Sequence, residues 1–125
     1  MTVFIDSDVL IEVLKGQDED LLAAWSALGK TDAALLFSPV SVAEVWAAAR
    51  SYEHVQINQI FRPLLCASID HETGKLAGEY LRKFSRSHDL KVADALVAAS
   101  AFRHNSALWT HDRKRYPMQE LSFYK

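Results

Sequence analysis

"FIDSDVLIEVL", residues 4–14, joins two hydrophobic rhythms across three polar residues. Val3-Phe4-Ile5 is an unbroken apolar run of the kind that fills a buried strand. Val9, Leu10, Ile11, Val13 and Leu14 recur at the spacing of a helix face. Asp6-Ser7-Asp8 is therefore a strand-to-helix junction, and its two acids have two readings. Asp and Ser are preferred N-caps, and negative charge complements a helix N-terminus. Alternatively, the junction is part of a site, because α/β proteins bind ligands outside the carboxyl ends of their strands.

The same alternation continues along the chain. A helix capped by Asp18 or Asp20 is expected through Leu21 to Leu28, closing at Gly29, and residues 34–38 (ALLFS) read as a buried strand that Pro39 stops. Helices are expected from Ser41 and again over Val55 to Phe61, then a strand at residues 65–69 (LCASI). Asp70 caps a helix running to Phe84, and residues 85–89 (SRSHD) read as a polar loop. An Ala-rich helix from Val92 to His104 has Asn105 at its C′ position. Residues 107–110 are expected to form a short strand, 111–117 a loop, and 121–123 a last edge strand. Strands separated by helices of this length imply βαβ crossovers. The expected fold is a three-layer α/β/α sandwich with a small, mainly parallel sheet, built as one domain over residues 1–125.

Composition narrows the function classes. With 50% hydrophobic residues and only 4 Gly and 3 Pro, the chain is not disordered. No apolar stretch approaches the ~20 residues of a membrane-spanning helix, and the first residues lack the basic segment and cleavage site of a signal peptide. The single cysteine, Cys66, excludes an internal disulfide and is expected to be a small buried apolar residue. The expected setting is reducing and cytoplasmic. Fourteen basic against sixteen acidic residues give a net charge of -2, so nucleic acid is not coated wholesale. Arg113-Lys114-Arg115 is the densest local basic patch.

Four acids interrupt apolar surroundings at equivalent places. Asp6 ends the first strand, Glu44 lies one turn into the helix after the second, Asp94 opens the Ala-rich helix, and Asp112 follows the fourth strand. In a parallel sheet all four belong to one edge. Each also has a structural explanation: Ser41-x-x-Glu44 is a capping box, Asp94 complements a helix dipole, and Asp112 is a loop acid. Capping alone does not explain why Asp94 is set among Val92, Ala93, Ala95, Leu96 and Val97. Converging, partly desolvated carboxylates repel unless a cation lies between them. All-oxygen donors favour Mg²⁺ or Mn²⁺, whereas zinc is disfavoured because the histidines have no ligand spacing.

The stretches FIDSDVLIEVLKG, SVAEVWAAA, VADALVAASA and LWTHDRKRYP resemble, in order and over essentially the whole chain, the four acidic motifs of PIN-domain ribonucleases, in particular the VapC-type toxins of bacterial toxin–antitoxin pairs. The resemblance implies that Asp6, Glu44, Asp94 and Asp112 are the catalytic, metal-coordinating acids, with Asp112 the outer one. Ser7 and Thr110 match the hydroxyl positions that hydrogen-bond within that cluster. Asp8 stands where Asn or Ser is also common. The loop after Asp112 lacks the phenylalanine of the commonest pattern. The activity implied by the resemblance is that of a Mg²⁺- or Mn²⁺-dependent endoribonuclease acting on single-stranded or loop RNA. Its expected partners are a small antitoxin and a second copy of the chain, with no membrane.

The candidate RNA contacts are Arg113, Lys114 and Arg115, with Trp46 and Trp109 as core or contact residues. Two other readings stay open. A non-catalytic PIN-like module binding RNA or protein is one. An aspartate-nucleophile phosphatase is the other, on the partial D-x-D-x-V pattern of Asp6-Ser7-Asp8-Val9, although the Lys motif and paired acids of that class are absent.

Overall fold

The computed structural model describes residues 1–125. Its five strands are β1 (Thr2–Ile5), β2 (Ala34–Phe37), β3 (Leu65–Cys66), β4 (Ala107–Trp109) and β5 (Ser122–Phe123). The helices are α1 (Ser7–Lys15), α2 (Glu19–Gly29), α3 (Pro39–Ala48), α4 (His54–Phe61), α5 (His71–His88) and α6 (Val92–Arg103). The strands form one sheet in the order β3-β2-β1-β4-β5, and every pair is parallel. An all-parallel sheet needs both faces covered. Val3 and Ile5 of β1 pack with Val9, Leu10, Leu28, Val45 and Ile57 of α1 to α4. Phe4 points to the other face, against Ala77 and Tyr80 of α5 and Ala95, Ala98 and Ala99 of α6. The small side chains of α6 let that helix lie close on the sheet, which explains its Ala-rich sequence.

The order of strands places the site. From β1 the chain builds outward through β2 to β3, then returns across the sheet to β4 and β5. The direction of winding reverses between β1 and β4, and beyond the carboxyl ends of two such strands a crevice opens. Asp6 follows β1 and Thr110 follows β4, and the Asp6 N–H donates to the Trp109 carbonyl at 3.0 Å.

Four local expectations differ from the structure. Helix α3 begins at Pro39, capped by Ser38, whose hydroxyl accepts from the Ser41 N–H. Pro is well suited to a first helical position, where its missing N–H has no partner to lose. Ser41 is therefore inside the helix, and the expected Ser41–Glu44 capping box does not form. Residues 85–88 are not a loop: α5 continues through them, because Phe84 still packs on the core and Arg86 and His88 complement the helix C-terminus. The helix ends at Asp89, in the left-handed region with φ 52°. Strand β3 is two residues rather than five, and as an edge strand it leaves both Leu65 and Cys66 exposed. Cys66 is accordingly a surface thiol, not a core residue.

Candidate active site

Asp6 is both a cap and the centre of a buried polar cluster. Its Oδ1 accepts from the Ser7 N–H at 2.8 Å, the ordinary work of an N-cap. Its Oδ2 accepts from the Tyr116 hydroxyl at 2.6 Å and from Thr110 Oγ1 at 3.0 Å. The residue is only 3% exposed. Burial, and then the charge of Asp8, raise its pKa to about 6, against the pull of those three donors. Burial and the adjacent carboxylates push the Tyr116 phenol far above its ordinary value. Tyr116 is thus a permanent donor and not a base.

Thr110 ties the acids together. Its one hydroxyl proton lies within reach of Asp6 Oδ2 and of Asp8 Oδ2, at 3.0 and 3.1 Å, while its oxygen accepts from the Asp112 N–H at 3.3 Å. A single proton cannot fully satisfy both carboxylates. Asp8 Oδ2 also accepts from the His111 N–H at 3.1 Å, whereas its Oδ1 is buried with no partner. Asp8 therefore faces the cluster. Across the crevice, Ser7 Oγ donates to Glu44 Oε1 at 2.8 Å, linking the first turn of α1 to α3. Because Ser38 rather than Ser41 caps α3, Glu44 is left to make this contact.

Asp94 is 8% exposed and also works twice: Oδ2 accepts from the Lys91 N–H at 3.2 Å, and Oδ1 meets Arg115 Nη1 at 3.3 Å. The other prong of the guanidinium, Nη2, stands 3.5 Å from Asp112 Oδ2. Arg115 thus faces inward and bridges two acids. Arg113, by contrast, lies over the Phe123 ring at 5.1 Å, and Lys114 is exposed. Trp46 packs beside His54, and Trp109 is a core residue between Trp25 and Tyr124.

The donors are all oxygen, Asp6 is held at a cost by burial, and Asp8 Oδ1 has no partner, so the chemistry fits a hard divalent cation. In the present side-chain positions no three acids gather around one point. Ligation from this arrangement requires the carboxylates to turn and Arg115 to release Asp94 and Asp112.

Sequence reasoning did not find Tyr116. In Arg-Lys-Arg-Tyr-Pro it looks like one more loop residue, and only the 3-10 turn at Arg113–Arg115 turns it under the sheet edge. Asp8 was recognisable as an acid near the site, but its direction depends on Thr110, far away in sequence.

No curated protein sequence matches the chain. Several solved structures share its fold. VapBC2 from Rickettsia felis, bound to a DNA fragment from its promoter, superposes with a TM-score of 0.82 at 15% identity, covering 99% of this chain and 98% of that one. FitAcB from Neisseria gonorrhoeae gives 0.74 at 20% identity, over 98% and 96% of the two chains. VapC20 from Mycobacterium tuberculosis, described as a Sarcin-Ricin loop cleaving toxin, gives 0.72 at 13% identity, over 96% and 98%. Residues 3–121 match the model of the PIN domain, so almost every element of the fold, with the crevice between β1 and β4, is accounted for by one family: the chain belongs to the PIN domain family.

Proposed function

We propose that this protein is a metal-dependent endoribonuclease, the toxin of a toxin–antitoxin pair. The observation that supports the reading is that Asp6, Glu44, Asp94 and Asp112 all lie along the crevice where β1 and β4 diverge, linked through Ser7, Thr110 and Arg115. Mg²⁺ or Mn²⁺ held there would lower the pKa of a bound water and neutralise the charge that builds on the phosphate oxygens. The chain's own residues supply the rest. Asp6 and Asp94 hold the centre, buried enough to exclude bulk water. Glu44 and Asp112 complete the acidic wall. Ser7, Thr110 and Tyr116 fix the carboxylates' directions. The Tyr116 phenol does not ionise, so the proton lost by the attacking water would pass to a carboxylate of the cluster.

A toxin–antitoxin complex from Klebsiella pneumoniae contains a chain of the same fold, and we extend this to a small antitoxin here. Between α1, α2 and α4 runs a cleft of about 330 Å³ in which Val13, Leu14, Trp25, Ile60 and Pro63 are joined by Gln56 and Gln59, a mixed seat that suits a partner's amphipathic helix. An aspartate-nucleophile phosphatase is disfavoured by the bonding of Asp6, whose two oxygens are both engaged as acceptors by three donors.

The test is thermal unfolding of the parent, Asp6→Asn and Asp94→Asn, with and without Mg²⁺ or Mn²⁺, beside an RNA-cleavage assay. Asn caps about as well as Asp at position 6, and at position 94 its amide oxygen can still accept from the Lys91 N–H, so both variants should fold. The parent should gain about 2.7 kcal/mol from metal at a hundredfold excess over its dissociation constant, and the variants should not. Cleavage should fall by orders of magnitude. Full activity with an unchanged metal response would return these acids to capping.

A further inference from the structure

A second concavity, of about 700 Å³, opens directly beside the acids and shares Thr110 and Asp112 with them. It lies between the first turn of α2 and the stretch that leaves β4, and Lys125 reaches it from beyond β5. That volume falls within the range of pockets that hold small molecules, and it exceeds what one amino-acid side chain fills. Its floor is apolar, made by Leu21, Ala24 and Trp109. Three cations line it: Arg113, Lys114 and Lys125. Arg113 is held in place by its stack on Phe123, which covers one face of the guanidinium and leaves its N–H edge free.

The groove also carries three acids, Asp18, Asp20 and Asp112. Asp18 is occupied as the cap of α2, accepting from the Leu21 N–H at 3.1 Å, and Asp112 stands beside Arg115. Asp20 lies in the first turn of α2, whereas Arg113 and Lys114 lie on the turn after β4. A polyanion entering the groove is drawn to the Arg113–Lys114 turn and to Lys125 and repelled by Asp18 and Asp20 at the first turn of α2.

We infer that this groove is a subsite for the sugar–phosphate backbone of single-stranded RNA flanking the scissile bond, gripped by Arg113, Lys114 and Lys125 and not by Arg115. The inference rests on the nuclease reading for its substrate class: a strand cleaved at the acids must continue on either side, and this is the concavity that adjoins them. An acidic peptide is the competing occupant. RNA is favoured because the groove is continuous with the acid crevice, sharing Thr110 and Asp112 with it, and the chemistry of that crevice suits a phosphodiester.

The experiment measures binding of a fluorescent single-stranded oligouridylate to the metal-free full chain across a salt series. It compares the parent, Lys114→Ala, Lys125→Ala and the double variant, with Lys83→Ala, exposed on α5 across the sheet, as control. Metal-free binding is read without cleavage, so a failure of the nuclease reading is seen separately in the cleavage assay. Thermal unfolding checks that each variant folds, and both lysines are exposed. Each single change should weaken binding severalfold and flatten the log–log salt slope by about one unit or less, the double variant by up to about two, and Lys83→Ala by nothing. Variants that bind like the parent, or a parent that does not bind at low salt, would overturn the subsite even if cleavage is observed. Oligoglutamate of equal charge binding as tightly as the RNA would overturn it in favour of a peptide.

Discussion

Asp6 concentrates the conflict on which the site is built. Its pKa stands near 6 in the folded chain and near 3.8 when unperturbed, so in the window between them the folded state keeps a proton that the unfolded state has lost. Stability of the metal-free protein should then decrease as pH rises through that window and level off above it, by about 3 kcal/mol for a shift of this size. Urea unfolding of parent and Asp6→Asn across the window checks this: the parent should show the slope and the variant should have lost that contribution. Arg115 offers a second residue-scale test. Its guanidinium is the counter-charge of Asp94 and Asp112 in the metal-free chain, and any cation must displace it. Arg115→Ala should therefore shift the metal titration, followed by thermal unfolding, to severalfold lower concentration. The metal-free protein should lose less than about 1 kcal/mol, since the arginine is half-exposed. A weaker metal response in Arg115→Ala would mean that the arginine organises the acids rather than competing for them.

At the scale of elements, much is legible in the order of residues alone, and the misses share a cause. The β1–α1 junction can be read because Val3 to Ile5 is buried on both faces while Val9 and Leu10 lie on one helix face, and the two periods differ. The end of α5 cannot, because residues 85–88 are polar in a helix turn and in a loop alike, and only Phe84's packing decides between them. Strand β3 reads too long because an apolar run does not say whether it lies at a sheet's centre or its edge. The start of α3 is misjudged because Ser38 and Ser41 are both good caps, and Pro39 settles the choice. In the site, the carboxylates are visible as acids out of place, whereas Tyr116 and the direction of Asp8 depend on contacts across the whole chain. The capping assignment is itself testable. Ser38→Ala should cost about 1 kcal/mol in chemical unfolding, as loss of an N-cap does. Ser41→Ala should be neutral or slightly stabilising, because its buried hydroxyl has no partner to lose.

For the molecule as a whole, the expectation concerns assembly. Trp25 and Ile60 are partly exposed around the cleft between α1, α2 and α4, where an apolar surface is open to a partner, and Leu65, Val92 and Phe102 are exposed on other surfaces. On the proposed function, light scattering should give a homodimer, and purification from its native operon should bring down a stoichiometric small partner that suppresses cleavage. A monomer that is harmless when expressed alone would count against both. The closure between β1 and β4 bears on synthesis as well. Asp6 is held by Thr110 and Tyr116, 104 and 110 residues further on. A ribosome making this chain therefore carries the first acid long before its partners exist, and neither of these crossing bonds to Asp6 can close until its partner has been translated and has emerged. The pocket around Asp6 is in this sense a late product of synthesis, closed by the last sixteen residues of the chain.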